Sequence, residues 1–215
     1  MGAKDYLTLS LSVLAVVVSL ANLYLTQLRR ARLELHAGEH LKVNYFVKGN
    51  FGAALPVAVT NDGANVGIVL RFGLLMQHAD SGEAYLLEPV SYQRLTAEGV
   101  LEDESDATPI AVPGRNTAAK NVLFRSSLDR PDEYRLAKAG RYNVTLLAWE
   151  TESSKPSLHR RFSVEVSPEA IGLLNSYREQ KKTSLVWLIQ SDWATWGAHR
   201  SDAQDATDLV SRGAA

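Results

Sequence analysis

The sequence predicts a mainly β domain, an antiparallel sandwich, held behind one N-terminal transmembrane helix and followed by a C-terminal helical segment. Three observations predict it. Residues 6–28 carry no charge, residues 32–166 show apolar residues alternating with polar ones, and Ser167-Pro168-Glu169 spells a helix start. The organisation expected is a short flank over 1–5, a transmembrane helix over 6–28, a β domain over 29–166, a helical segment over 167–197 and a disordered tail over 198–215.

Composition narrows the class. Lys and Arg total 23 against 24 for Asp and Glu, a formal charge of −1, so no global field draws the chain to nucleic acid. There is no cysteine, which removes disulfides, thiolate zinc sites and cysteine nucleophiles at once. A chain of 215 residues has room for one ordinary domain and an appendage.

The run YLTLSLSVLAVVVSLANLYLTQL, residues 6–28, at about 1.5 Å per residue spans a hydrocarbon core of roughly 30 Å. Lys4 and Asp5 precede it, Arg29, Arg30 and Arg32 follow, and Tyr6 and Tyr24 stand near its ends, where amphipathic rings favour the interface. The apolar region of a cleaved signal is shorter and ends at small residues, so length and flanks favour a retained anchor. Arginines after the helix place the large domain in the cytoplasm by the positive-inside rule, with an exported domain as the alternative. Thr8, Ser12, Ala15, Ser19, Asn22 and Thr26 recur every three or four residues and form a small, polar stripe. Small side chains let helices approach closely, so the stripe is a candidate helix–helix interface; the competing reading has each hydroxyl bonding its own preceding carbonyl.

Beyond the arginines, the alternation predicts strands over 32–36, 41–47, 55–60, 66–77, 84–95, 109–112, 119–124, 142–150 and 158–166. Turn clusters punctuate them: Lys48-Gly49-Asn50, Asn61-Asp62-Gly63, Asp80-Ser81-Gly82 and Pro113-Gly114. In Leu136-Ala137-Lys138-Ala139-Gly140-Arg141-Tyr142-Asn143-Val144, a tyrosine enters a late strand just after a glycine turn. The segment resembles the tyrosine corner of immunoglobulin-like and fibronectin-like sandwiches, in which the hydroxyl bonds back to the preceding loop. The resemblance implies an immunoglobulin-like fold without the disulfide of antibody domains. Trp149 is expected in the core.

Ser167 as N-cap, Pro168 at the first helical position and Glu169 in the first turn begin the C-terminal helix. It is expected to run to about Lys182 and to continue through Leu185-Val186-Trp187-Leu188-Ile189 toward Trp193 and Trp196. The default for this segment is a helix packed on the sandwich. Alternatively Lys181, Lys182, Trp187, Trp193 and Trp196, with Arg29, Arg30 and Arg32, are candidate membrane-surface contacts.

Little chemistry is spelled out. His36-Ala37-Gly38-Glu39-His40 matches H-x-x-E-H, which resembles the zinc motif of inverzincin metallopeptidases. That chemistry needs both histidines on one helical turn, whereas Gly38 between two alternating stretches predicts a turn. Residues 102–106, EDESD, read as a solvated acidic loop without the spaced ligands of a calcium site. His78, His159 and His199 read as surface residues. The expectation is a non-enzymatic, membrane-anchored interaction or assembly module without cofactor, metal or small-molecule substrate. Its partners are the lipid bilayer and a protein, or a second copy, met through the helix; the alternatives are an exported binding domain or a metal-dependent hydrolase at His36, Glu39 and His40.

Overall fold

In the computed structural model, which describes residues 2–46, 49–96, 101–126, 136–181 and 186–189, the apolar run forms helix α1 (Ala3–Leu23). A π turn (Tyr24–Leu28) continues it and is closed by Arg29 N–H donating to Tyr24 O at 2.9 Å. This is the one stretch among the described residues long and apolar enough to cross a membrane, a test that an N-terminal signal sequence also passes. Its described side chains from Tyr6 to Leu28 are exposed, so the domain itself covers none of them.

The alternating region folds as an antiparallel array: β1 (Leu33–Ala37), β2 (His40–Tyr45), β3 (Phe51–Asn61), β4 (Gly67–Val69), β5 (Arg71–His78), β6 (Ala84–Leu95), β7 (Leu101–Asp106), β8 (Ile110–Val112), β9 (Asn116–Arg125), β10 (Gly140–Trp149) and β11 (Leu158–Val166), with β12 (Val186–Ile189) added from the C-terminal side. Hydrogen-bonded neighbours run β11-β10-β5-β6-β9-β3-β2-β12, and β4 pairs with β8 in a separate ribbon. Long strands β3 and β6 each serve two neighbours along one edge. β3 pairs with β2 through 51–54 and with β1 through 57–61, while β6 pairs with β5 through 84–87 and with β7 through 91–95. Both strands give their other edge to β9, so the sheet curls until β11 lies against β1 and β12. The result is a nearly closed, barrel-like sheet rather than the pair of separate sheets expected for an immunoglobulin-like sandwich. Register and curvature are set by long-range pairing that alternation does not encode.

Alternation does its expected work inside that sheet. Leu33, Leu35 and Ala37 of β1 point inward while Glu34 and His36 point out, and Leu55, Val57 and Val59 of β3 repeat the pattern. Tyr45, Phe51, Leu74, Met76, Phe124 and Tyr142 belong to one core. The expected strand over 66–77 is divided at Leu70, whose N–H donates to Trp149 O at 2.7 Å, because β4 leaves the main sheet to meet β8.

Two segments differ from expectation. The acidic stretch 102–106 is not a loop but most of β7, an edge strand paired with β6 whose side chains from Glu102 on are exposed. The helix expected over 167–197 forms as α2 (Pro168–Glu179), capped by Ala170 N–H donating to Ser167 Oγ at 3.2 Å. Val186 to Ile189 is not its continuation but strand β12, paired with β2, with Val186 and Leu188 inward and Trp187 and Ile189 outward. Residues 190–215, including the expected tail, lie outside the described residues.

Candidate functional site

The features worth weighing lie where the helix meets the sheet, at the tyrosine corner, on the helix stripe and along an outer groove. The first is the most highly connected. Asn61, with no exposed surface, ends β3 and bonds in four directions. Its Oδ1 accepts from Arg32 N at 3.1 Å and Gly63 N at 2.9 Å; its Nδ2 donates to Asn65 O at 2.8 Å and Val112 O at 3.0 Å. The chain leaving the helix is bound to the same loop. Arg29 O accepts from Ala64 N at 2.9 Å and Asn65 N at 3.1 Å, and Arg32 O accepts from Asp62 N at 3.0 Å. A Cβ at Gly63 would lie 2.1 Å from Arg30 O, so only glycine permits this approach. From the β8–β9 turn, Arg115 in the left-handed region (φ 57°) extends its guanidinium to Leu25 O at 2.6 Å. The helix is thus joined to the domain by a braced stem. Arg29, Arg30 and Arg32, expected as surface contacts, are part of this stem; the bracing itself was hidden in a sequence that showed Asn61-Asp62-Gly63 only as a turn.

On the helix, Thr8 Oγ1 donates to Lys4 O at 2.9 Å, Ser12 Oγ to Thr8 O at 2.9 Å, and Thr26 Oγ1 to Asn22 O at 2.7 Å. Those three hydroxyls satisfy their own helix. Ser19 and Asn22 make no side-chain hydrogen bond among the described residues, and Ala15, one turn before Ser19, extends the small surface.

At the tyrosine corner, Tyr142 Oη donates to Lys138 O at 2.9 Å, the bond that the Gly140-Arg141-Tyr142 spacing predicts. Burial pushes the phenol up to about 12. His78 is not the surface residue expected: it is buried, its ring 5.0 Å edge-on from Tyr142. Ser81 N–H donates to its Nδ1 at 3.2 Å, which leaves Nε2 to donate to Ala139 O at 3.3 Å. Gly140, at φ 132°, gives the ring room. Trp149 is buried as expected, with the Arg71 guanidinium 4.4 Å above its ring.

The H-x-x-E-H segment is strand, turn and strand. His36 ends up on the outer face of β1, Gly38 and Glu39 turn, and His40 opens β2, so the helical spacing that the zinc motif requires is not formed. His36 instead borders a groove of about 580 Å³ across the outer face of β1, β3, β9, β6 and β7. Its floor holds Pro56, Ala58 and Ala119; its far wall holds Gln93 and the Lys120–Glu104 ion pair at 2.9 Å. Glu104 is the unpaired residue of a bulge opposite Tyr92 and Gln93. Small outward residues in central strands were the sequence signal for this groove, and without strand order they could not be placed side by side.

Of the remaining candidate membrane contacts, Trp187 is 56% exposed on β12, with Lys42 Nζ 4.2 Å over its ring and the His40 ring 5.6 Å away. Burial lowers the pKa of Lys42. Lys181 follows α2, while Lys182, Trp193 and Trp196 lie outside the described residues.

No protein-family model matches the chain, and no curated protein matches it. Among solved structures, a candidate lipoprotein (ycdA) of Bacillus subtilis is similar at 12% identity over 70% of this chain, with a TM-score of 0.36. The chain spans 42% of that protein's length. A candidate ApaA protein of Bordetella pertussis is similar at 10% identity over 76% of this chain and 98% of its own, with a TM-score of 0.24.

Proposed function

We propose that the protein is a non-enzymatic, membrane-anchored interaction module, its helix in the bilayer beside other membrane helices and its β domain engaging a protein partner. The observation that carries this reading is the braced stem. A wholly exposed apolar helix must be covered by lipid or protein, and Asn61, Arg115 and the Arg29 carbonyl tie that helix to the domain instead of leaving a loose leader ahead of a cleavage site. Three arginines after the helix support a cytoplasmic domain by the positive-inside rule, with an exported domain as the alternative. Ser19, Asn22 and Ala15 form the part of the stripe free to meet a second helix. The order β1-β3-β9-β6 along one side and β11-β10-β5-β6 along the other, with the tyrosine bond opening β10, supports reading the curled sheet as a relative of the immunoglobulin-like sandwich in which β6 bridges both halves.

Topology tests the anchor. A single cysteine at exposed Ser81, in a chain that has none, is labelled by an impermeant thiol reagent in intact cells and after lysis. Protection until lysis, with an uncleaved N-terminus by intact mass, is the expected result; labelling in intact cells would move the domain to the outer side, and a trimmed N-terminus would remove the anchor. Replacing Ser12, Ser19 and Asn22 with leucine should abolish helix-mediated association in detergent, and unchanged association would dismiss the stripe.

A further inference from the structure

The end of the domain that receives the helix carries an apolar pair that the fold leaves uncovered. Val66 is 58% exposed and Ile68 48% exposed, although Val69 beside them is fully buried and Gly67 abuts Leu33. Their position is fixed relative to the helix. Ala64 and Asn65, immediately before Val66, donate their N–H groups to Arg29 O, one residue past the apolar span. Arg115 reaches Leu25 O, a carbonyl one turn inside that span, so the β8–β9 turn stands level with the end of the apolar span. Arg29, Arg30 and Arg115 meet the loop that leads into the pair: Arg29 through the bonds from Ala64 and Asn65, Arg30 through its carbonyl beside Gly63, and Arg115 through its N–H to Gly63 O.

We infer that the β4–β8 ribbon and the loop leading into it rest on the bilayer that holds the helix, with Val66 and Ile68 in the acyl boundary and Arg30 and Arg115 at lipid phosphates. Apolar side chains flanked by long cationic ones are the chemistry of an interfacial contact, the stems lying along apolar surface and the guanidinium groups reaching the headgroups. Continuity with the span selects lipid as the occupant. The domain is then held in one orientation on the membrane, and its outer groove and the Asp80–Gly82 hairpin keep fixed heights above it. β5 starts just after β4 and runs eight residues away from the ribbon, which puts that hairpin roughly 25 Å further along.

This inference rests on the anchor reading, and one experiment separates the two. Single cysteines at Val16, Val66, Ile68 and Ser81 each carry an environment-sensitive dye, and the full chain is reconstituted in phosphatidylcholine vesicles containing a minority of phosphatidylglycerol. The expected result is blue-shifted, iodide-resistant emission at Val16, emission blue-shifted and quenched severalfold less than in water at Val66 and Ile68, and water-like emission at Ser81. Val66 and Ile68 behaving as Ser81 does, with Val16 shielded, would overturn the surface contact and leave the anchor standing. Val16 as open to iodide as Ser81 would overturn the anchor and the contact together.

Discussion

Asn61 joins three segments that are distant in sequence: the stem after the helix, the loop after β3 and the end of β8. A buried amide with all its bonds made is stabilising chiefly because each partner would be left unpaired without it. Asn61→Ala should therefore cost about 2–4 kcal/mol in denaturant unfolding, well beyond the loss expected for an exposed turn asparagine. Tyr142 presents a second residue-scale test. Its phenol is pushed up from 10.0 to about 12, so the folded state binds the proton more tightly than the unfolded state. The stability this provides is complete below pH 10.0 and is lost as pH rises through about 12. Tyr142→Phe removes the bond to Lys138 O and should cost about 1 kcal/mol at neutral pH. Phenylalanine does not ionise, so the penalty should shrink as unfolding is repeated from pH 10.0 toward 12. A penalty constant across that range would refute the assignment. The corner was legible because its chemistry is local, a glycine and a tyrosine two residues apart. The Asn61 junction was not, because two of its bonds, from Arg32 N–H and to Val112 O, are to groups whose proximity only the finished fold provides.

Strands β1, β6 and β11 were legible because apolar residues recur inward at period two: Leu33, Leu35 and Ala37 in β1, Tyr85 and Leu87 in β6, and Phe162, Val164 and Val166 in β11. β7 was missed for the opposite reason: Glu102, Asp103, Glu104, Ser105 and Asp106 bury almost nothing, and an edge strand needs only one partner and no apolar face. Its charges guard the edge. β12 was misread because Val186-Trp187-Leu188-Ile189 is apolar throughout and too short to reveal a period. Its pairing with β2 makes the two faces unequal, which gives a test at the scale of the element. Leu188→Ala should cost about 2–4 kcal/mol because Leu188 is buried in the core, whereas Trp187→Ala, which loses the exposed contact with Lys42, should cost about 1 kcal/mol or less. A helix with Trp187 packed inward would invert that order. The same comparison bears on function, since Trp187 and Ile189 leave an outward apolar strip on this edge, next to His40 and Lys42.

At the scale of the whole molecule, the question is where the anchor ends and the domain begins. Hydropathy puts the boundary after Leu28, and the sheet puts it at Leu33, but the stem between them is bonded as if it belonged to the domain. The described side chains of the span are exposed, so the helix gives the sheet no apolar packing. Arg29 and Arg32, by contrast, take part in four bonds: two N–H donors meet Arg29 O, one meets Arg32 O, and Arg32 N–H meets Asn61. Two truncations separate these contributions. A chain beginning at Arg29 should unfold in denaturant at nearly the same midpoint as the full chain in detergent, since of the brace it loses only the exposed Arg115–Leu25 O bond. A chain beginning at Leu33 should lose about 2–4 kcal/mol, because the loop N–H groups of Ala64 and Asn65 and the Asn61 carbonyl lose their partners together. Equal stability of the two truncated chains would mean that the stem is a passive tether. The domain would then swing on the helix, and a fixed height of the groove above the membrane would lose its structural basis. A marked loss confined to the shorter chain would mean that the domain is built down to the bilayer surface, with the helix fixing its attitude as well as its location.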